Sequence, residues 1–546
     1  MKLPSRRILA AGALVGCTAL VAAACGSPNT ADDPGGAGAD PHPGGSVTLA
    51  VTGGSSLGNL NTQMTSATTP LVLADLWADG LFAYDGQGNQ VNHLATGVDV
   101  SQDRRTYTIP LRKNVKFSDG TPFSSADVAF NLEVLAKYNT YLTAVLPKIE
   151  AVETPDDSTV VIKLKEPFAP LLDALDKEVF PILPKHVYEK GEPATNPANQ
   201  EPIGAGPFKF ESRSGGQGIT FVRNPNYWDA PKPYLDKVFV KSIPDAEQQA
   251  NALLSGEVDW ARLSHPNVKE VQDAADKQVA ARSLKTPAPE TLLLDLNVAR
   301  GGPLSNPEVR KALYTATDRS TIISDAYHGL ASEPRSAIPT GFRDLYNPAV
   351  DYTKMYAFDA AKAGRMLDAA GYPVKEDGSR FSITLSYTAG DAEYPFDAAA
   401  RILTAQWKKI GVDLKLEGLD SQVWSDRIYK QRAFDVSLVS LTGRTDPVLG
   451  VDRSFVCNDK HLPYVNPTGY CDPKLNAVAL EAQQAPEGER KAIYERYEQI
   501  VADALPQLPL AQAEQFEGVS TKFGGLEKQF DVAYNEHANW AEAWTG

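Results

Sequence analysis

Catalytic signatures are what this 546-residue chain most plainly lacks. Its seven histidines (His42, His93, His186, His265, His328, His461 and His537) are scattered, with no HExxH pair and no other metal-ligand spacing. No G-x-S-x-G elbow occurs, and Gly204-Ala-Gly206 is followed by neither a helix nor Lys-Ser/Thr, which excludes a phosphate loop. No catalytic residue, metal or cofactor is therefore expected, and a hydrolase would need a nucleophile and base drawn together from distant segments. Past residue 24 no run reaches the ~18 uninterrupted apolar residues of a membrane span. Basic charge is also short: 53 Lys and Arg face 68 Asp and Glu, a formal charge of −15. That balance argues against a nucleic-acid partner and offers no polybasic membrane patch. Cysteine is scarce, with only Cys17, Cys25, Cys457 and Cys471.

What is present begins with a leader. Lys2, Arg6 and Arg7 precede an apolar core, Ile8–Val21, too short to cross a bilayer, then Ala22-Ala-Ala24 and Cys25. The order resembles a bacterial lipoprotein signal, in which the cysteine is acylated and becomes the new N-terminus. Leu14-Val15-Gly16-Cys17 fits the local motif more closely but leaves too short a core, so Cys25 is favoured on segment length. Without residues 1–24, which carry three basic groups and no acid, the charge becomes −18. Residues 25–45, rich in Gly, Pro and Asp, read as a flexible tether. Cys457 and Cys471 are then the remaining cysteines, and in an exported chain they are expected to pair; closing so short a loop contributes about 3 kcal/mol.

The body, at this length, predicts two or three domains. Tyr107, Ile109 and Leu111 alternate with Thr108 and Pro110 as in a strand, and Pro110 suggests an edge position or a bulge. Val115 and Phe117 form a second short strand running into the turn Asp119-Gly120; Ser124 or Ser125 then caps a helix with Asp127 in its first turn. Later come strands at Ser46–Val51, Thr159–Leu164, Ile383–Tyr387, Val412–Leu416 and Phe434–Leu441. Helices are expected at Leu71–Leu81, Pro303–Leu313, Phe358–Gly371, Ala398–Ile410, Trp424–Tyr429 and Leu475–Ala504, the last with a charged Glu487/Lys491 pair. The β-α-β alternation after residue 380 predicts a mixed α/β domain with some parallel pairing.

The stretch Leu111-Arg112…Val115-x-Phe117-x-Asp119-Gly120-x-Pro122…Ser125-x-Asp127-Val128 resembles the signature of the family 5 extracytoplasmic solute-binding proteins of bacterial ABC importers. Collinear matches follow over about residues 46–520: Ile182-Leu-Pro184-Lys-His186, Gly204-Ala-Gly206-Pro207-Phe208, Arg223-Asn-Pro-Asn-Tyr227-Trp228, Pro303…Pro307-x-Val309-Arg310 and Asp318-Arg319. The resemblance implies an α/β, two-lobed periplasmic-binding-protein-like fold with mixed sheets and an extra subdomain in the first lobe. The divisions expected are a signal at 1–24, a tether at 25–45, and first-lobe segments at 46–90 and 201–290. The extra subdomain is expected at 91–200, the second lobe at 291–504, and a return to the first lobe at 505–546, with Leu505–Leu510 as the crossing strand.

It also implies a monomer, held to the outer face of the cell membrane by lipid, that is no enzyme. Such a receptor passes a short peptide or other small ligand to ABC permease and ATPase subunits; the alternative cargo is an opine, glutathione-like compound, metal chelate or sugar. In the resembled family the first strand ends at the ligand cleft, which implies Gly53 and Ser55 as pocket residues; ligands in α/β domains lie beyond strand C-termini, which points to Thr442, Arg444 and Asp446 after Phe434–Leu441. Peptide-binding relatives carry Trp and Asp in the latter loop; here Leu441 and Arg444 stand near those positions. Arg444 suits a carboxylate or phosphate and Asp446 an amine, or the two pair and stiffen the loop. Trp424 is a candidate aromatic wall, with plain helix packing as its alternative.

Overall fold

The computed structural model describes residues 41–545, apart from 53–56, 66, 86–88, 140, 141, 143, 144, 179, 216, 217, 275–278, 285–289, 340, 341, 343, 344, 392, 393, 442–445, 463, 464 and 527–538. Three main sheets organise the body. The first has seven strands in the order Val279–Leu284, Gln515–Ser520, Trp260–Leu263, Ser46–Val51, Lys237–Ser242, Gly218–Arg223 and Phe208–Ser214. Ser46–Val51 runs parallel to both Lys237–Ser242 and Trp260–Leu263, so three strand C-termini point the same way. The second has six, in the order Ala331–Ser332, Gln507–Ala513, Glu290–Leu296, Val436–Leu441, Phe381–Thr388 and Val412–Leu419. Its parallel pair Phe381–Thr388 and Val412–Leu419 is bridged by helix Phe396–Lys408, the β-α-β unit expected from the sequence. A four-stranded antiparallel sheet, Asp99–Val100, Thr106–Pro110, Thr159–Leu164 and Ile149–Asp156, builds the subdomain beside the first sheet.

Burial follows the sequence pattern. Tyr107 and Ile109 face the subdomain core while Thr106, Thr108 and Pro110 are half-exposed. Glu290–Leu296 lies between two neighbours and is buried on both faces apart from Thr291, as its run of leucines requires. Ser124 begins helix Ser125–Phe130: Asp127 accepts from the Ser124 amide at 2.9 Å with one oxygen and from the Lys185 amide at 2.9 Å with the other. One carboxylate thus satisfies orphan donors of two helix starts.

The remaining signature residues are joints between segments. The Arg112 guanidinium lies 3.9 Å from the centre of the Trp228 ring, whose indole donates to Asp79 at 2.7 Å. Asp79 also meets His93 Nδ1 at 2.8 Å, and Asp119 meets His186 at 2.7 Å. Gly206 donates its amide to the Trp77 carbonyl at 2.9 Å, and a Cβ there would stand 2.5 Å from the Trp77 carbonyl carbon. The backbone must approach closely, and only glycine permits it.

Several expectations are corrected. Thr106–Pro110 is an interior strand, and Pro110 is tolerated because it ends the strand opposite Thr159. Val115 and Phe117 form no strand; a single bridge, Lys116 to Pro122, closes the turn. Leu475–Ala504 is two helices, Pro473–Gln484 and Glu487–Ala504, because Pro486 cannot continue the first. Glu487 reaches back to Arg490 at 3.2 Å. The strand near Leu505–Leu510 forms as Gln507–Ala513 and pairs within the second sheet. Gln515–Ser520 pairs within the first, so the chain changes sheets at Glu514.

Candidate functional site

Two cavities flank the chain crossings. The first, about 80 Å³ and open to solvent, lies at the C-terminal ends of Ser46–Val51 and Trp260–Leu263. Thr52, Gln249, Arg262 and His265 line it from the first lobe, while Glu290, which opens the long strand of the second sheet, closes the other side. Arg262 reaches the Gln515 side-chain oxygen. Glu290 is 3% exposed and accepts from the Ser440 hydroxyl at 2.6 Å. His265 donates through Nε2 to the Glu514 carbonyl at 3.1 Å, and its ring stands edge-on to Tyr327 at 4.8 Å. Burial pushes its pKa down to about 4, so the imidazole is neutral at physiological pH. The cavity thus offers cationic, anionic and amide groups around an apolar floor, a composition suited to holding a small polar solute.

The second cavity, about 40 Å³, opens at the end of Val436–Leu441. Leu293, Leu441, Val451 and Phe455 make it mainly apolar, and Gln507 supplies an amide. That amide donates at 2.7 Å to Asp295, whose carboxyl burial pushes up to about 7. Leu441 and Gly450 are among the residues that wall the second cavity.

Thr442 and Arg444 lie outside the described residues, as do Gly53, Ser55 and Cys25. Asp446 is described and 4% exposed. It caps helix Pro447–Gly450 by accepting from the Val448 amide at 2.8 Å, and its two oxygens take Arg490 at 2.5 and 2.8 Å. Trp424 is 8% exposed; its indole donates to Ser437 at 3.0 Å and its ring stands edge-on to Tyr429. It packs in one cluster with Leu293 and Leu441, a layer behind the second cavity. Cys457 and Cys471 are joined, and Asn476 accepts from the Cys457 amide at 3.1 Å. Among the described residues no cluster of three metal-ligating side chains occurs, and no helix is long and apolar enough to cross a membrane.

Arg490, Arg262 and Glu290 are absent from the sequence-based candidates. Arg490 had a visible signal: it falls on the same helical face as Ile493, Tyr494 and Tyr497, and a charge on an apolar face needs a buried partner. Arg262 and Glu290 had none, since their common cavity arises only when the two sheets meet.

The family profile described as bacterial extracellular solute-binding proteins, family 5 middle, matches residues 89–460. Protein XP55 of Streptomyces lividans is 30% identical over 436 residues, 78% of this chain and 77% of that protein. The glutathione-binding protein GsiB of Salmonella typhimurium is 28% identical over 385 residues, 69% and 70% of the two chains. Among solved structures, the binding protein AgaA of A. tumefaciens R10 in complex with agropinic acid superposes with a TM-score of 0.77 at 27% identity, covering 92% of this chain and 99% of that one. The mixed sheets described above are the two-lobed architecture of these proteins. The chain belongs to the family 5 bacterial extracellular solute-binding proteins, the ligand-capturing components of ABC transporters.

Proposed function

We propose that this protein is the lipid-anchored receptor of an ABC importer and that it closes over a small carboxylate-bearing solute, a short acidic peptide in the first instance. The observation that carries the reading is the departure at Leu441 and Arg444; Leu441 lines the second cavity, and Arg444 follows it by three positions in the sequence. A guanidinium there presents a planar fork to a carboxylate. The similarity to a glutathione-binding protein supports a peptide with free carboxylates. The similarity to a protein solved with agropinic acid supports the second reading, a non-peptide acid. Thr442, Gly53 and Ser55 would supply polar contacts around the same ligand, and Trp424 would hold Leu441 and Leu293 in place behind it. Asp446 would act through the fold, by fixing the far end of the loop to Arg490. Cys25 would carry the lipid, residues 26–45 the reach, and the monomeric body no chemistry of its own.

Native mass spectrometry of the purified full chain is expected to release a small acid. Calorimetry with that compound should then show Arg444→Ala binding roughly tenfold to a hundredfold more weakly, the loss of a charged hydrogen-bonded pair. Unchanged affinity would sink the role of Arg444, and a bound ligand without any acidic group would sink the class.

A further inference from the structure

The two lobes also meet at a place that lines neither cavity. The Ala169 amide, in the subdomain, donates at 2.7 Å to the Gln483 carbonyl of the second lobe, and Gln484 donates at 2.8 Å to Glu166. Arg104 reaches the Gln484 carbonyl. Val448 and Leu449, on the helix that Asp446 caps, insert into the subdomain core beside Phe117, Val128 and Phe168. Next to this apolar plug, Asp173 of the short helix Leu171–Ala174 faces the second lobe while the Tyr84 hydroxyl donates to it.

The charges gathered there do not balance. From the second lobe, the Asp446 and Glu487 carboxylates and the Arg490 guanidinium face Asp173. Arg490 is 2% exposed and already holds both oxygens of Asp446, while Glu487, 3.2 Å from it, is exposed to water. Among the described residues, one cation therefore serves three carboxyls. Asp452 lies beyond, inside the second lobe, where Tyr494 donates to it at 3.3 Å. Bringing Asp173 against this group leaves it half-exposed, strips part of its water and sets it beside Asp446, with no cation of its own among the described residues. A carboxyl so placed is stable as the neutral acid.

We propose that lobe closure takes up a proton at Asp173, so that acid favours the closed, ligand-holding form. Burial, then the Asp446 charge, push the Asp173 carboxyl up to about 7, with the Tyr84 hydrogen bond and Arg490 opposing. Opened to water, the same carboxyl returns to about 4. The closed state binds the extra proton between those values. Its advantage is complete below about pH 4, falls with rising pH, and levels off above about pH 7. A ligand carboxylate does not titrate above about pH 5, so the effect belongs to the protein in that window. The inference rests on the hinge-closing receptor proposed above.

Single-molecule energy transfer in the ligand-free full chain tests it, with dyes on keto-bearing residues replacing Asp157 in the subdomain and Lys409 in the second lobe, both exposed. The closing constant is expected to drop roughly tenfold or more from about pH 5.5 to about pH 8. Asp173→Asn, a mimic of the neutral acid, should abolish that dependence and stay near the acid value. Tyr84→Phe removes a bond that favours the charged form and should move the midpoint to higher pH. A closed fraction that does not rise on acidification, or an Asp173→Asn chain with the unaltered pH profile, overturns the proposal. Two interconverting states without pH dependence would do so while leaving the receptor reading intact.

Discussion

Arg490→Met is the most informative single change outside the ligand cavities. The side chains of Arg490 and Asp446 are 3% and 5% exposed, and two hydrogen bonds join them. Methionine keeps much of the arginine stem and its packing on Tyr494, but leaves the Asp446 carboxylate buried with, among the described residues, only the Val448 amide as a donor. Removing one partner of such a pair costs about 3–5 kcal/mol, because the survivor keeps its desolvation penalty and loses its compensation. The exposed Glu487 adds little to this loss, since its contact is at the surface. Urea unfolding of the full chain should show the transition that carries the second lobe moved by that amount. A double change, Arg490→Met with Asp446→Asn, should recover most of it, because asparagine still accepts from the Val448 amide and bears no charge. A cost below about 1 kcal/mol for Arg490→Met, or a double variant that loses the sum of the single costs, would refute the argument.

Two further outcomes follow from the fold. Replacing Cys457 and Cys471 by serine opens a loop with a sequence separation of 14 and should cost about 3 kcal/mol, read as a lower thermal midpoint that dithiothreitol reproduces in the wild type; an unchanged midpoint would contradict the loop-closure account. Gly206→Ala should cost about 1–3 kcal/mol in denaturant unfolding because its methyl meets the Trp77 and Ala78 backbone, whereas Gly488→Ala, with no neighbour within 4 Å, should cost nothing measurable; equal effects would contradict the close-approach argument.

Local rules made much of the fold legible. Ser124 and Asp127 mark a helix start within four residues, and the alternation around Tyr107 and Ile109 marks one face of a strand. The parallel pair Phe381–Thr388 and Val412–Leu419 could be read because a helix pattern separates two strand patterns. What escaped depends on partners far away in the chain. Gln507–Ala513 and Gln515–Ser520 follow each other after one residue, and which sheet takes each is set by Glu290–Leu296 and Trp260–Leu263, more than two hundred residues earlier. Asp446 looked available to a ligand because the residue that claims it lies 44 positions further on. The cavity around Arg262 and Glu290 has no sequence signature, since neither residue is unusual until the sheets face each other.

The passage at Glu514 has a mechanical consequence. Ala513 is hydrogen-bonded into one sheet and Gln515 into the next, so the link between them is a single residue, with a span of only about 3.5 Å per residue. Two plates joined through one residue keep their edges together at that point and part most easily away from it, as a door swings on its frame. Sliding and twisting would stretch a tether that has no slack. The gap between the sheets therefore has least room to change at Glu514 and most room far from it.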